Sequence, residues 1–155
     1  MSLEAWQKNG WLRVHETSRE EIQNLFSLIK RDLKESQIED LSDDWKFAIA
    51  YNACLQCCTI PLYCSGFRPG RGQSQHYRTI TSLTLTLGEE YQEIKNYLDA
   101  CRAKRNVSDY DRVGTISTSE ANELIETAQE LYNDVWRWVK EHYPQYMEEN
   151  HLDSQ

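Results

Sequence analysis

From Ser42 to Leu62 the chain reads SDDWKFAIAYNACLQCCTIPL, and after the opening acids it is apolar around nearly the whole helical circumference. A surface helix carries a single apolar stripe, so a helix apolar on every side has to be enclosed by others. This stretch therefore predicts the central, most buried helix of a fold built from helices. Ser42 is a suitable N-cap, and Asp43 and Asp44 sit favourably in the positive first turn. Trp45, Ala48, Ile49, Asn52, Leu55, Thr59 and Leu62 recur at helical spacing. Pro61 removes a backbone donor and crowds the preceding turn, which predicts a kink or an end near Thr59–Pro61.

The remaining segments supply the enclosure. Ser2–Lys8 suggests a short helix laying Trp6 on the body, with a turn at Asn9-Gly10. Ser18-Arg-Glu-Glu21 has the form of a capping box and opens a helix to about Gln37. Its inward stripe is Ile22, Leu25, Phe26, Ile29 and Leu33, with Lys30, Arg31, Lys34 and Glu35 facing water. The Gly/Pro-rich run from Gly66 to His76 reads as an exposed connection that presents Arg68, Arg71 and His76 at the mouth of a cleft. Ser74 is a candidate cap for a third helix. Leu83-Thr-Leu85-Thr-Leu87 alternates like a strand, yet His76, Ile80, Leu83 and Leu87 also fit helical spacing. A lone strand leaves its backbone groups unsatisfied, so a helix is expected, broken around Gly88 and continuing over Glu89–Asn106. Ser117-Thr-Ser-Glu120 is a second capping box, opening a helix to about His142 with Ala121, Leu124, Ile125, Ala128, Leu131, Tyr132, Val135 and Val139 inward. Trp136 and Trp138 cannot both face one core, so one of them marks a partner surface. The expected fold is all-α, an up-and-down bundle of four to five helices in one domain over residues 1–146, with a frayed polar tail at 147–155.

Charge limits the partners. A net charge of −8 argues against a general nucleic-acid coat. Between Trp45 and Gly88, however, there is no Asp or Glu, while Lys46, Arg68, Arg71 and Arg78 are present. Such a stretch can focus an anionic ligand despite the overall charge. No apolar run approaching transmembrane length and no signal peptide are read here, so no membrane role and a cytoplasmic location are expected. The five Cys are an odd number clustered as Cys54, Cys57, Cys58, Cys64 and Cys101, which suits a reducing cytosol. Cys54-x-x-Cys57-Cys58 is half a zinc site with no second pair, so neither metal nor cofactor is expected.

The candidate site lies further on. Tyr91, Ile94, Leu98 and Cys101 mark one apolar helical face, and one more step of four lands on Arg105. A guanidinium is thereby delivered to the buried side, where it needs a partner. Asp109 and Asp111 are close enough to supply a structural ion pair. Arg102, Lys104, Arg105, Asn106 and Tyr110 together form a cationic motif suited to phosphate recognition and base stacking.

Arg105-Asn106 followed by Tyr110-Asp111 resembles the motif helix of the HEPN superfamily, compact helical proteins of nucleotide and RNA biology. In its RNase members an Arg, often followed by Asn, precedes a His by four to six residues. Arg105 and Asn106 carry over; the position matching the His is Tyr110, so the usual general acid/base is replaced. The resemblance runs from about Ser42 to His142. It implies a homodimer in which two motifs meet across a groove that binds RNA or a nucleotide. It also implies a toxin–antitoxin or defence setting, with a nucleotidyltransferase antitoxin as partner. Arg105 and Tyr110 are then the candidate catalytic residues, with Tyr110, Asp109 or a recruited His76 taking the proton. Arg102, Lys104, Arg105, Asn106, Tyr110, Arg68, Arg71 and His76 are the candidate ligand-binding set. A metal-independent endoribonuclease and a non-catalytic interaction module stand as alternatives to a binding protein.

Overall fold

The computed structural model describes residues 1–110 and 115–147, and of residues 106–110 the backbone alone. Four long helices form the body: α2 (Arg19–Glu35), α3 (Asp43–Cys64), α6 (Gln92–Tyr110) and α7 (Thr118–His142). Between and before them lie α1 (Leu3–Lys8), β1 (Leu12–Val14), β2 (Phe67–Pro69), α4 (Gln75–Thr81) and α5 (Leu83–Thr86). Among the described residues the fold is thus all-α apart from one two-stranded ribbon.

Helix α3 is the axis, packed by α2, α6 and α7. It starts where Ser42 accepts a hydrogen bond from the Trp45 amide. Its buried set is Phe47, Ala50, Tyr51, Cys54, Cys57 and Cys58, continuing through Ile60 and Leu62. The spacing that starts at Trp45 does not describe this face: Trp45 is 64% exposed and Asn52 is exposed too. A helix apolar all round has almost no preferred side in its sequence, so neighbours decide which face is covered. The helix also does not end at Pro61 but continues to Cys64. Pro61 falls in the last turn, where one missing donor removes little, and the Ser65 amide still bonds the Pro61 carbonyl at 3.0 Å. Contrary to the expectation from hydropathy, α3 is long and apolar enough to cross a bilayer, yet two-thirds of that window (67%) is buried within the fold.

The ends of α2 and α7 contrast. Ser117 and Glu120 close a reciprocal capping box on α7. Ser18 caps α2 through the Glu21 amide, but the Glu21 carboxylate turns away to His15 and Thr17. The box expected there is therefore half formed. Ser74, expected to cap α4, makes no side-chain capping bond. Leu83–Thr86 is helical, and the chain breaks at Gly88, whose φ of 123° is ready only for glycine.

The ribbon is the element that the sequence reading lacks. β1 and β2 pair antiparallel as Leu12↔Pro69, Arg13↔Arg68 and Val14↔Phe67. Three residues are too few to show a period, and Pro69 closes the ladder at once. Its consequence is large, because it ties the start of the Gly/Pro-rich run to the N-terminal segment. A small second core of Trp6, Leu12, Leu62 and Phe67 forms beneath it.

Candidate nucleic-acid interface

Arg105 reaches its position by the helical arithmetic of α6. Cys101 and Leu98 are buried one and two turns earlier, and Ile94 packs against the core. Arg105 is half-buried with its guanidinium over the Tyr51 ring, 5.3 Å from the centroid. Tyr51 is almost wholly buried in α3, and its hydroxyl meets His76 Nδ1 at 3.2 Å. Burial pushes the Tyr51 phenol well above its ordinary range, against the opposing charges of Arg105 and Arg102. The hydroxyl therefore keeps its proton. His76 lies at the exposed start of α4, and burial on its inner side, then Arg105 and Arg102, hold its pKa below the ordinary 6.5.

One turn before Arg105, Arg102 bonds Asp99 at 2.8 Å and lies over the Tyr77 ring at 5.4 Å. Tyr77 also carries Arg78 at 5.4 Å, and Arg78 stacks on Trp11 at 3.8 Å. The contacts thus form two groups, Trp11–Arg78–Tyr77–Arg102 and Arg105–Tyr51–His76, set side by side by one turn of α6. Cations alternate with aromatic rings in these contacts, and each guanidinium plane lies over a ring.

The candidate residues are sorted by this arrangement. Arg102, Arg105 and His76 are brought together. Lys104 is instead ion-paired with Glu120 of α7. Arg68 sits beside a different group, over the Tyr63 ring at 6.0 Å and near Glu21. Arg71 lines a cavity with Trp11 and Arg78. The side chains of Asn106, Asp109 and Tyr110, and all of Asp111, lie outside the described residues, so their proposed roles with Arg105 are not placed. Tyr77, Arg78 and Trp11 were missed as site residues. Arg78 was visible as a cation in the acid-free stretch, but its pairing with Trp11 depends on the ribbon. The cysteines pack as core: Cys54, Cys57 and Cys58 are fully buried, and burial raises the Cys58 thiol to about 12.

The geometry of His76 bears on the chemistry. For Tyr51, a buried hydroxyl, donation to Nδ1 is the way to satisfy its proton. The neutral ring then carries its own proton on Nε2, the nitrogen remote from Tyr51. That nitrogen is a donor suited to a phosphate oxygen, whereas a general base needs an open lone pair toward the substrate. Comparison with family models, with curated proteins and with solved structures finds no match to this chain.

Proposed function

We propose that this protein binds single-stranded RNA or a nucleotide on the face formed by α4 and the end of α6. The observation that carries the reading is the pairing of Arg78, Arg102 and Arg105 with Trp11, Tyr77 and Tyr51 in two groups joined by one turn of α6. Guanidiniums take phosphates while the accessible rings of Tyr77 and Trp11, unlike the buried Tyr51, take bases, and such stacking is tolerant of sequence. His76 adds a donor rather than a base. The HEPN resemblance extends the proposal to a homodimer in a reducing cytoplasm, acting in a toxin–antitoxin or defence setting beside a nucleotidyltransferase. The exposed Trp45 face of α3, with Ala48, Ile49 and Asn52 along it, is the surface offered for that dimer.

The test is anisotropy with a labelled single-stranded RNA at low salt, for wild type, Arg105→Ala, Arg102→Gln and Lys104→Gln. Removing one charge-assisted contact of about 1.5–3 kcal/mol lowers affinity about tenfold to a hundredfold for the first two. Lys104→Gln, already engaged with Glu120, should change it much less. No binding by wild type, together with a large drop in melting temperature for Arg105→Ala, would leave Arg105 as a structural residue in an interaction module.

A second reading, a metal-independent endoribonuclease, draws on the closeness of His76 to Arg102 and Arg105. It requires the Tyr51–His76 hydrogen bond to reverse its direction, so that Nε2 becomes the base. Cleavage of the same RNA in chelator, lost in His76→Ala, would establish it.

A further inference from the structure

We propose that the cavity between the Gly10-Trp11 turn and the Gly70–Ser74 loop is a further phosphate site, gripped by Arg71 and Arg78 and bordering the α4–α6 face at Arg78. The cavity measures about 270 Å³, and no carboxylate among the described residues lines it. Arg78 is half-buried and takes its contacts from aromatic rings: Trp11 at 3.8 Å, Trp6 at 5.5 Å and Tyr77 at 5.4 Å. Among the described residues, neither the Arg71 nor the Arg78 side chain makes a hydrogen bond or ion pair. An arginine kept for structure is ordinarily satisfied by a carboxylate or carbonyls. Two guanidiniums facing one cavity without an anion repel each other, and a phosphate between them reverses the sign of that interaction.

The walls are built rather than loose. The Gly70 amide donates to the Trp11 carbonyl at 2.8 Å. A Cβ on Gly70 would stand 2.4 Å from the Gly10 carbonyl oxygen, so the two walls approach as closely as glycine allows. The β1–β2 ladder continues the same tie. Size selects the ligand: pockets for drug-sized molecules measure about 300–1,000 Å³, so a phosphate or diphosphate enters whole while a base stays outside. Gln73 and Ser74 add neutral polar groups at the rim.

The phosphate has two sources. It is either a backbone phosphate of the strand on the α4–α6 face, joined through Tyr77, or a free phosphate group. Only the first rests on the proposed RNA-binding function. Titration calorimetry with inorganic pyrophosphate, and anisotropy with a long and a very short RNA, separate them. The variants are Arg71→Gln, Arg78→Gln and Arg78→Lys, each checked by thermal melting. Pyrophosphate should bind wild type and weaken at least tenfold in Arg71→Gln, an exposed position whose loss leaves the fold intact. Arg78→Lys should be intermediate, since an ammonium keeps the charge and loses the bidentate fork. A strand source lowers long-RNA affinity as well, with a salt slope reduced by about one per arginine removed. A free source leaves RNA binding unchanged in Arg71→Gln, the variant that decides, because Arg78 also belongs to the α4–α6 face. Retention of pyrophosphate binding in Arg102→Gln, with RNA binding lost, would show that the two sites fail separately. Failure of pyrophosphate to bind wild type, or equal binding by a folded Arg71→Gln, overturns the proposal.

Discussion

His15 and His76 each lean on a tyrosine of α3, and the two meet opposite surroundings. His15 lies 4.3 Å from the Tyr63 ring, and its Nε2 meets Glu21 Oε1 at 2.7 Å. Thr17 donates to the same oxygen at 2.7 Å, and the His15 amide donates to the Gly66 carbonyl at 2.9 Å. Burial alone would raise the Glu21 carboxyl, but hydrogen bonds from Thr17 and His15, with the charges of His15 and Arg68, bring it below its ordinary 4.5. His76 has the Tyr51 hydroxyl behind it and two guanidiniums beside it. The same residue types thus serve two purposes. Where a carboxylate closes the group, the result holds β1 and β2 against α2 and α3; where arginines stand beside the imidazole instead, the local field is positive and suits an anionic ligand.

The largest effect expected from breaking this pair comes from the tyrosines. Tyr51→Ala empties a core position and should cost about 3–5 kcal/mol. Tyr63 is only partly buried, so Tyr63→Ala should cost about 1–3 kcal/mol. Urea unfolding of both variants measures the difference, and a costlier Tyr63→Ala would reverse the roles assigned to the two ends of α3.

Next is Glu21→Gln, which keeps shape and removes the charge that His15 and Thr17 address. Glu21 is partly exposed, so solvent screening limits the expected loss at pH 7 to about 1 kcal/mol. The sign follows from the depressed carboxyl pKa: its contribution is full above the unfolded value of 4.5 and disappears as pH falls through the lower folded value. Melting temperatures of wild type and Glu21→Gln should therefore converge in acid. A gap that widens below pH 4.5 would remove the carboxylate from the tie.

How much of this contrast was legible in the sequence depends on how local each signal is. The caps at Ser18, Ser42 and Ser117, the break at Gly88 and the stripe leading to Arg105 are written within one or two turns, and the structure follows them, whereas Ser74 makes no side-chain cap. The covered face of α3 was not legible, because a helix apolar all round gives no preferred side. The ribbon was not legible because three-residue strands show no period, and the Trp11–Arg78 stack depends on it. Glu21 illustrates the limit well. Its spacing from Ser18 spells a capping box, but His15 and Thr17 offer its carboxylate a better-satisfied place. The partners expected for Arg105, Asp109 and Asp111, lie where side chains are not described, while Tyr51, from a distant helix, supplies the ring beneath it.

The smallest effect, and the sharpest test of the open histidine, is the titration of His76. Burial and the charges of Arg105 and Arg102 all disfavour its protonated form, so its NMR midpoint should fall below 6.5. Between that midpoint and 6.5 the unfolded chain binds more proton than the fold, so stability declines as pH falls through this window and levels off beneath it. Arg102→Gln and Arg105→Gln should each move the midpoint back toward 6.5, and Glu21→Gln should leave it in place. A bound phosphate offsets the guanidinium charges and gives Nε2 an acceptor, which favours the imidazolium. RNA should consequently bind with proton uptake, tightening as pH falls below 6.5, and His76→Gln should abolish that dependence. Tyr51→Phe, which frees Nδ1 while keeping the ring under Arg105, should retain most of the affinity. A midpoint at or above 6.5 in the unliganded protein, unmoved by either arginine, would place His76 outside their field and return it to the same class as His15.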